Sequence, residues 1–124
     1  MASILVLDNS KELLDFLCYS LTARNHQVHA VTTVDELKQR LEENTPDLIL
    51  LDVLLPGENG RKLCGQLKRL AKLFWTPVII MSDNPSYVED FSSCKADDAI
   101  VKPFDLQAML NKINRHLSSN RIFI

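Results

Sequence analysis

Leu48-Ile49-Leu50-Leu51-Asp52-Val53-Leu54-Leu55-Pro56-Gly57 sets four aliphatic residues in a row directly before a carboxylate and closes on a Pro-Gly pair. An apolar run without polar alternation reads as a strand buried on both faces. Pro56 and Gly57 then turn the chain, so Asp52 stands where that strand meets solvent. Open parallel sheets place their chemistry at the carboxyl ends of their strands.

The flanking sequence repeats the pattern. Ile4–Leu7 is aliphatic and ends at Asp8-Asn9-Ser10; Pro77-Val78-Ile79-Ile80-Met81 ends at Ser82-Asp83-Asn84; Asp98–Val101 runs into Lys102-Pro103-Phe104. Gln27–Val31 is interrupted by polar residues and suits a sheet edge. Between these segments lie helical patterns. Leu13, Leu14, Leu17 and Leu21 form one; Val34, Leu37 and Leu41 another, behind a Thr33/Glu36 capping box. Leu63, Leu67 and Leu70 follow Gly60, and Leu106, Met109, Leu110, Ile113 and Leu117 follow Asp105, the expected N-cap. A short polar helix with Tyr87, Val88 and Phe91 begins at Pro85. Strand and helix alternate five times with short connections, which predicts an α/β fold: an open parallel sheet with helices on both faces.

A length of 124 residues fits one domain, here residues 1–117, with 118–124 as a C-terminal tail or the start of a linker. The formal net charge of -2 offers no basic field for nucleic acid. Arg61-Lys62 and Lys68-Arg69 read instead as the solvated face of a helix. Cys18, Cys64 and Cys94 are too scattered for a disulfide framework and suggest a reducing compartment, with Cys18 and Cys64, in helical stretches, reading as buried spectator thiols. No apolar run reaches the roughly 18 residues of a membrane span, and Met1-Ala2-Ser3 leads into a strand without a signal-like flank. The expected location is the cytoplasm, with neither nucleic acid nor membrane as a partner.

Four strand ends would deliver Asp8 and Asn9, Asp52, Ser82 and Lys102 to one rim. Each has a plain alternative as a cap, a turn residue, a loop hydroxyl or a surface charge. Their joint placement favours phosphoryl transfer. Clustered carboxylates suit a hard cation such as Mg²⁺, a carboxylate can attack phosphorus to give an acyl phosphate, and an ammonium group neutralises the phosphoryl oxygens. Asp52 is then the nucleophile, Asp8 a metal ligand, Lys102 the clamp and Ser82 a hydroxyl donor. Aiming Lys102 inward asks for an unusual loop at Lys102-Pro103, a cis peptide among the options.

Ile4–Asn9, Asp52–Gly57, Met81-Ser82 and Lys95–Phe104 together resemble the receiver domain of bacterial two-component response regulators, over Ile4 to about Leu117. The resemblance implies a doubly wound, flavodoxin-like three-layer sandwich with a five-stranded parallel sheet in the order 2-1-3-4-5. It implies that Asp52 accepts phosphate from a histidine kinase or phosphotransfer protein. Mg²⁺ would be held by Asp8, Asn9, Asp52 and the backbone carbonyl of Leu54. It also implies Mg²⁺-dependent self-phosphorylation and self-dephosphorylation without turnover of a diffusing substrate. A downstream protein or attached output module would read the signal, and homodimerisation is one route to it.

Two residues depart from the family pattern. Asn9 replaces the second acidic residue after the first strand, so the site holds two carboxylates rather than three and weaker Mg²⁺ binding is expected. Ala99 replaces a switching aromatic ring in the fifth strand, with Tyr87 placed to fill part of the space. Leu54 and Asn84 match positions that tune self-hydrolysis; Asn84 can hydrogen-bond a water, Leu54 cannot. His26, His29 and His116 lack the ligand spacing of a zinc site and read as solvated or capping. Trp75 reads as packing in the loop before the fourth strand. The rival functions are a degenerate receiver acting as a phosphorylation-independent interaction module, and a small metal-dependent phosphatase, for which the short loops supply neither cap nor acid-base residue.

Overall fold

The computed structural model describes residues 2–121, with side chains through Ser118. Five strands, β1 (Ser3–Leu7), β2 (Gln27–Val31), β3 (Leu48–Asp52), β4 (Val78–Ser82) and β5 (Asp98–Val101), form one parallel sheet in the order 2-1-3-4-5. Helices α1 (Lys11–Thr22) and α5 (Leu106–Arg121) cover one face, and α2 (Val34–Glu43) and α3 (Gly60–Lys68) the other. The expected flavodoxin-like sandwich is what forms. Among the described residues, no helix is long and apolar enough to cross a membrane.

The aliphatic runs are continuous because the sheet has a core on each side. Ile4, Val6, Leu48, Leu50, Ile79, Met81 and Ile100 pack under α1 and α5; Leu5, Leu7, Ile49, Leu51, Val78, Ile80 and Ala99 pack under α2 and α3. Successive strand residues point to opposite faces, so both parities must be apolar. β2 lies at an edge and is half-exposed, as its polar residues require. Helix starts follow the caps: Ser10 accepts from the Leu13 N–H, Thr33 from Glu36, and Asn59 from Arg61 and Lys62.

Several expectations need correction. The fourth helix, α4, is a single short stretch at Pro85–Glu89, and Phe91 lies in a separate 3₁₀ turn at Phe91–Cys94. Asp90 and two serines are poor helix formers and cannot carry α4 further. Helix α3 stops at Lys68, leaving Leu70 beyond it and exposed. Phe74 and Trp75 meet edge-on at 4.7 Å, but Trp75 is 68% exposed rather than packed into its loop. Helix α5 runs from Leu106 through Arg121, and residues 122–124 lie outside the described residues. Asp105 does sit directly before α5, its carbonyl accepting the Met109 N–H.

His116 is not a solvated residue. Its Nε2 lies 2.9 Å from Asp98 on β5, a buried carboxylate that Lys112 reaches at 3.0 Å and Arg115 also contacts. Burial works against the Asp98 charge, but hydrogen bonds from His116, the Ala99 N–H and Lys112 outweigh it and hold the carboxyl at about 2. The carboxylate therefore stabilises the α5–β5 contact above the ordinary aspartate range, and that stabilisation is lost as pH falls toward about 2.

Candidate functional site

β1 and β3 are hydrogen-bonded neighbours, with β4 beyond β3 and β5 beyond β4, so their carboxyl ends share one rim. Asp8 is fully buried and Asp52 is 2% exposed. Each carboxylate has one oxygen fixed by a backbone amide two residues on: Asp8 Oδ1 accepts from Ser10 at 2.8 Å and Asp52 Oδ1 from Leu54 at 3.1 Å. Both remaining oxygens face Lys102, whose Nζ is 2.6 Å from Asp8 Oδ2 and 3.5 Å from Asp52 Oδ2. The Lys102-Pro103 peptide is cis, and the Lys102 N–H donates to the Ser82 carbonyl at 2.8 Å.

One ammonium therefore serves two buried carboxylates. Burial, then the adjacent Asp8 charge, push the Asp52 carboxyl above the usual carboxylate range; the Leu54 N–H and Lys102 pull it back only in part. The set carries excess negative charge in a poorly hydrated place, which is what a hard cation relieves. Its donors are oxygens only, and that chemistry fits Mg²⁺ rather than a soft metal. Asn9 is exposed at the lip, beside Thr32, Thr33 and Glu58. Among the described residues, no group of three His, Cys, Asp or Glu side chains is placed to hold a metal, so an ion here would rely on neutral oxygens and water beyond Asp8 and Asp52.

Ser82 is fully buried at the end of β4, but its Oγ accepts from the Asn84 N–H at 3.0 Å and so belongs to the following loop. Asn84 Oδ1 is occupied as the cap of α4, accepting from the Ser86 N–H and hydroxyl; only its amide NH₂ is left to meet a water. Leu54 presents its amide to Asp52 and its side chain to solvent. Leu54-Leu55 and Glu58-Asn59 pair as a two-residue antiparallel ribbon around Gly57, whose φ of 71° lies in the left-handed region. Ala99 is buried, and Tyr87, Val88 and Phe91 pack against its core cluster.

Sequence reading did not single out Gly60 as part of this site. A Cβ there would lie 2.3 Å from Val53 Cα and 2.8 Å from the Asp52 carbonyl, so the start of α3 rests on the backbone that carries Asp52. The basic pairs Arg61-Lys62 and Lys68-Arg69, in α3 and at its end, were also only half legible. Arg61 bonds Asp90 and Lys68 bonds Asp97, while Lys62 and Arg69 remain solvated.

A family model for the response regulator receiver domain matches residues 4–114. Over 119 residues the chain is 30% identical to the phosphate regulon transcriptional regulatory protein PhoB of Rhizobium meliloti (strain 1021), the match covering 94% of this chain and 52% of that protein. The chain thus spans about half the length of that curated relative. The signal receiver domain of a signal transduction histidine kinase from Syntrophus aciditrophicus is 31% identical, with a TM-score of 0.86 and coverage of 96% of this chain and 92% of that one. A two-component response regulator from Clostridium difficile shares the fold at 21% identity, with a TM-score of 0.86 over 95% of this chain and 97% of that one.

Proposed function

The chain belongs to the response regulator receiver family, a family of phosphoacceptor signalling domains, and from that premise we propose that Asp52 is the residue that takes the phosphoryl group. The observation that carries this reading is the shared Lys102 ammonium between two buried carboxylates on adjacent strands. The donor is a histidine kinase or a phosphotransfer protein. The Asp52 carboxylate attacks phosphorus as the bond to the donor nitrogen breaks, and the imidazole leaves with a proton. Lys102 is placed to move with the charge from carboxylate to phosphoryl oxygen. Ser82 would donate its hydroxyl to the same group once freed from the Asn84 amide.

Asp8, Asp52, the Leu54 carbonyl and Asn9 would hold Mg²⁺, which supplies neutralisation of the phosphoryl oxygens when bound. Asn9 brings an amide oxygen without charge, so affinity is lower than a third carboxylate would give. Asn9→Asp is expected to tighten Mg²⁺ binding about tenfold, the effect of one added charge at a short distance worth ~1.4 kcal/mol. Titration followed by tryptophan or tyrosine fluorescence measures it, and an unchanged affinity would remove Asn9 from the metal set. Signalling then proceeds by docking of the phosphorylated face to a downstream protein or an attached output module, with a homodimer as one form of that assembly.

The test is intact-mass measurement after incubation with acetyl phosphate and Mg²⁺, and again with a phosphorylated histidine kinase. A single phosphate adduct is expected on the parent and none on Asp52→Asn. The same variant is expected to melt above the parent at neutral pH, because it removes a charge held above its ordinary pKa by burial and by Asp8. An adduct that survives Asp52→Asn would refute the assignment. No adduct with either donor would favour the interaction-module reading, to which Asn9 and Ala99 both point.

A further inference from the structure

In each of the two basic pairs, Arg61-Lys62 in α3 and Lys68-Arg69 at its end, one member is tied down and the other is not. The Arg61 guanidinium bonds Asp90 at 3.2 Å, contacts Ser93, and lies 5.0 Å from the centre of the Tyr87 ring. Lys68 bonds Asp97 and the Thr76 carbonyl, each at 2.9 Å. Lys62 and Arg69 are exposed, and among the described residues neither has a carboxylate within ion-pair distance; the same is true of Lys95, at the end of the 3₁₀ turn. Three unpaired cations and the anchored Arg61 line one cleft of about 420 Å³ between α3 and that turn.

Four cationic side chains line this cleft. Among the described residues, no carboxylate lines it. Asn59 has its Oδ1 committed to the Arg61 and Lys62 amides, which leaves its NH₂ to face a ligand. Among the described residues Arg61 Nε is buried without an acceptor, and its guanidinium is held in place by Asp90 and Ser93. The floor is bare: a Cβ on Gly65 would already touch the Cys94 carbonyl at 3.7 Å. A docked peptide needs apolar anchors in pockets, and a nucleobase needs a ring to stack on; the lining offers neither. Such a surface complements several acceptor oxygens carrying two or more negative charges within a small-molecule volume.

We propose that the cleft between α3 and the 91–94 turn binds the polyphosphate moiety of a small molecule, either a nucleoside di- or triphosphate or inorganic polyphosphate, without reading the base. The lining shares no residue with Asp8, Asp52, Ser82 or Lys102, so the site is separate from the phosphoacceptor rim. Arg61 and Ser93 connect it to α4 through Asp90 and Tyr87. Occupancy would therefore stiffen the contact between α3 and α4.

Isothermal titration of the full chain with sodium tripolyphosphate, ATP and GTP, in EDTA at low salt, tests the proposal. All three are expected to bind, with affinities within about threefold of one another because the phosphates carry the recognition. Lys62→Gln combined with Arg69→Gln is expected to weaken each at least about tenfold, two lost charge-assisted contacts. Lys38→Gln, on the solvent side of α2, and Asp52→Asn are expected to leave binding unchanged. No binding at about 10 mM tripolyphosphate overturns the proposal, since that is weaker than any useful site. So does equal weakening by Lys38→Gln, which marks diffuse attraction, or nucleotide binding with tripolyphosphate silent, which marks base recognition elsewhere.

Discussion

Lys102→Met is expected to lower stability at neutral pH by about 3 kcal/mol, a fall in melting temperature on the order of 10 °C for a chain of this size. Methionine keeps the length and the apolar stem, so packing changes little. What is lost is the only cation within ion-pair distance of Asp8 and Asp52 among the described residues. Two buried carboxylates then face each other uncompensated. The figure sits at the low end of the range for a broken buried pair because the Lys102 side chain is 22% exposed and water can partly replace it.

The pH dependence gives the loss a signature. Asp52 already titrates above its ordinary range because of burial and then Asp8, and removing Lys102 raises it further. A carboxyl whose folded pKa is raised holds more protons in the folded state than in the unfolded chain. Stability therefore falls as pH rises from the unfolded value of about 3.9 through the raised folded one. The gap between Lys102→Met and the parent should be widest at neutral pH and narrow toward about pH 5. Thermal melts at both conditions measure it. A gap of constant size would mean that Lys102 matters for packing and not for the carboxylate pair.

What could be read from the chain, and what could not, divides along physical lines. The apolar runs ending at Leu7, Leu51, Met81 and Val101 announce parallel strands because both parities are aliphatic, and the polar residue after each is placed by the strand itself. The receiver motif then supplies roles for Asp52, Ser82 and Lys102. Orientation is different. Nothing in Met81-Ser82-Asp83-Asn84 tells that the Ser82 hydroxyl is turned to the Asn84 amide. Asp98 looked like the first residue of a strand, and its partners arrive from 14 to 18 residues later. A signal was present there: Lys112, Arg115 and His116 share one helical face, at spacings of three and four. Trp75 misled because a large aromatic beside Phe74 and just ahead of a strand is more often packed than solvated.

Gly60→Ala is expected to cost about 3 kcal/mol or more, and the sign alone is informative. Gly60 is the first residue of α3, where a glycine-to-alanine change in an ordinary helix would stabilise by up to ~1 kcal/mol. Here the added methyl meets only backbone: Val53 Cα at 2.3 Å, the Val53 carbonyl at 2.7 Å and the Asp52 carbonyl at 2.8 Å. No side chain can rotate away to make room, so α3 or the Asp52-Val53 peptide must move. That displacement strains the 3.2 Å bond from the Gly60 N–H to Val53 and the 3.1 Å bond that fixes Asp52 Oδ1 to Leu54. Stability and phosphoacceptor geometry should therefore fail together: a lower denaturant midpoint, and slower phosphate uptake at temperatures where the variant is still folded. Gly57 supplies the contrast, because it has open space around it and a φ of 71°; alanine there should cost only the ~1–2 kcal/mol of left-handed strain, with phosphate uptake intact. If Gly60→Ala instead raised the midpoint, the close approach of α3 to the Asp52 backbone would be absent in solution. The rim would then lose the support that holds the Asp52 carboxylate toward Lys102.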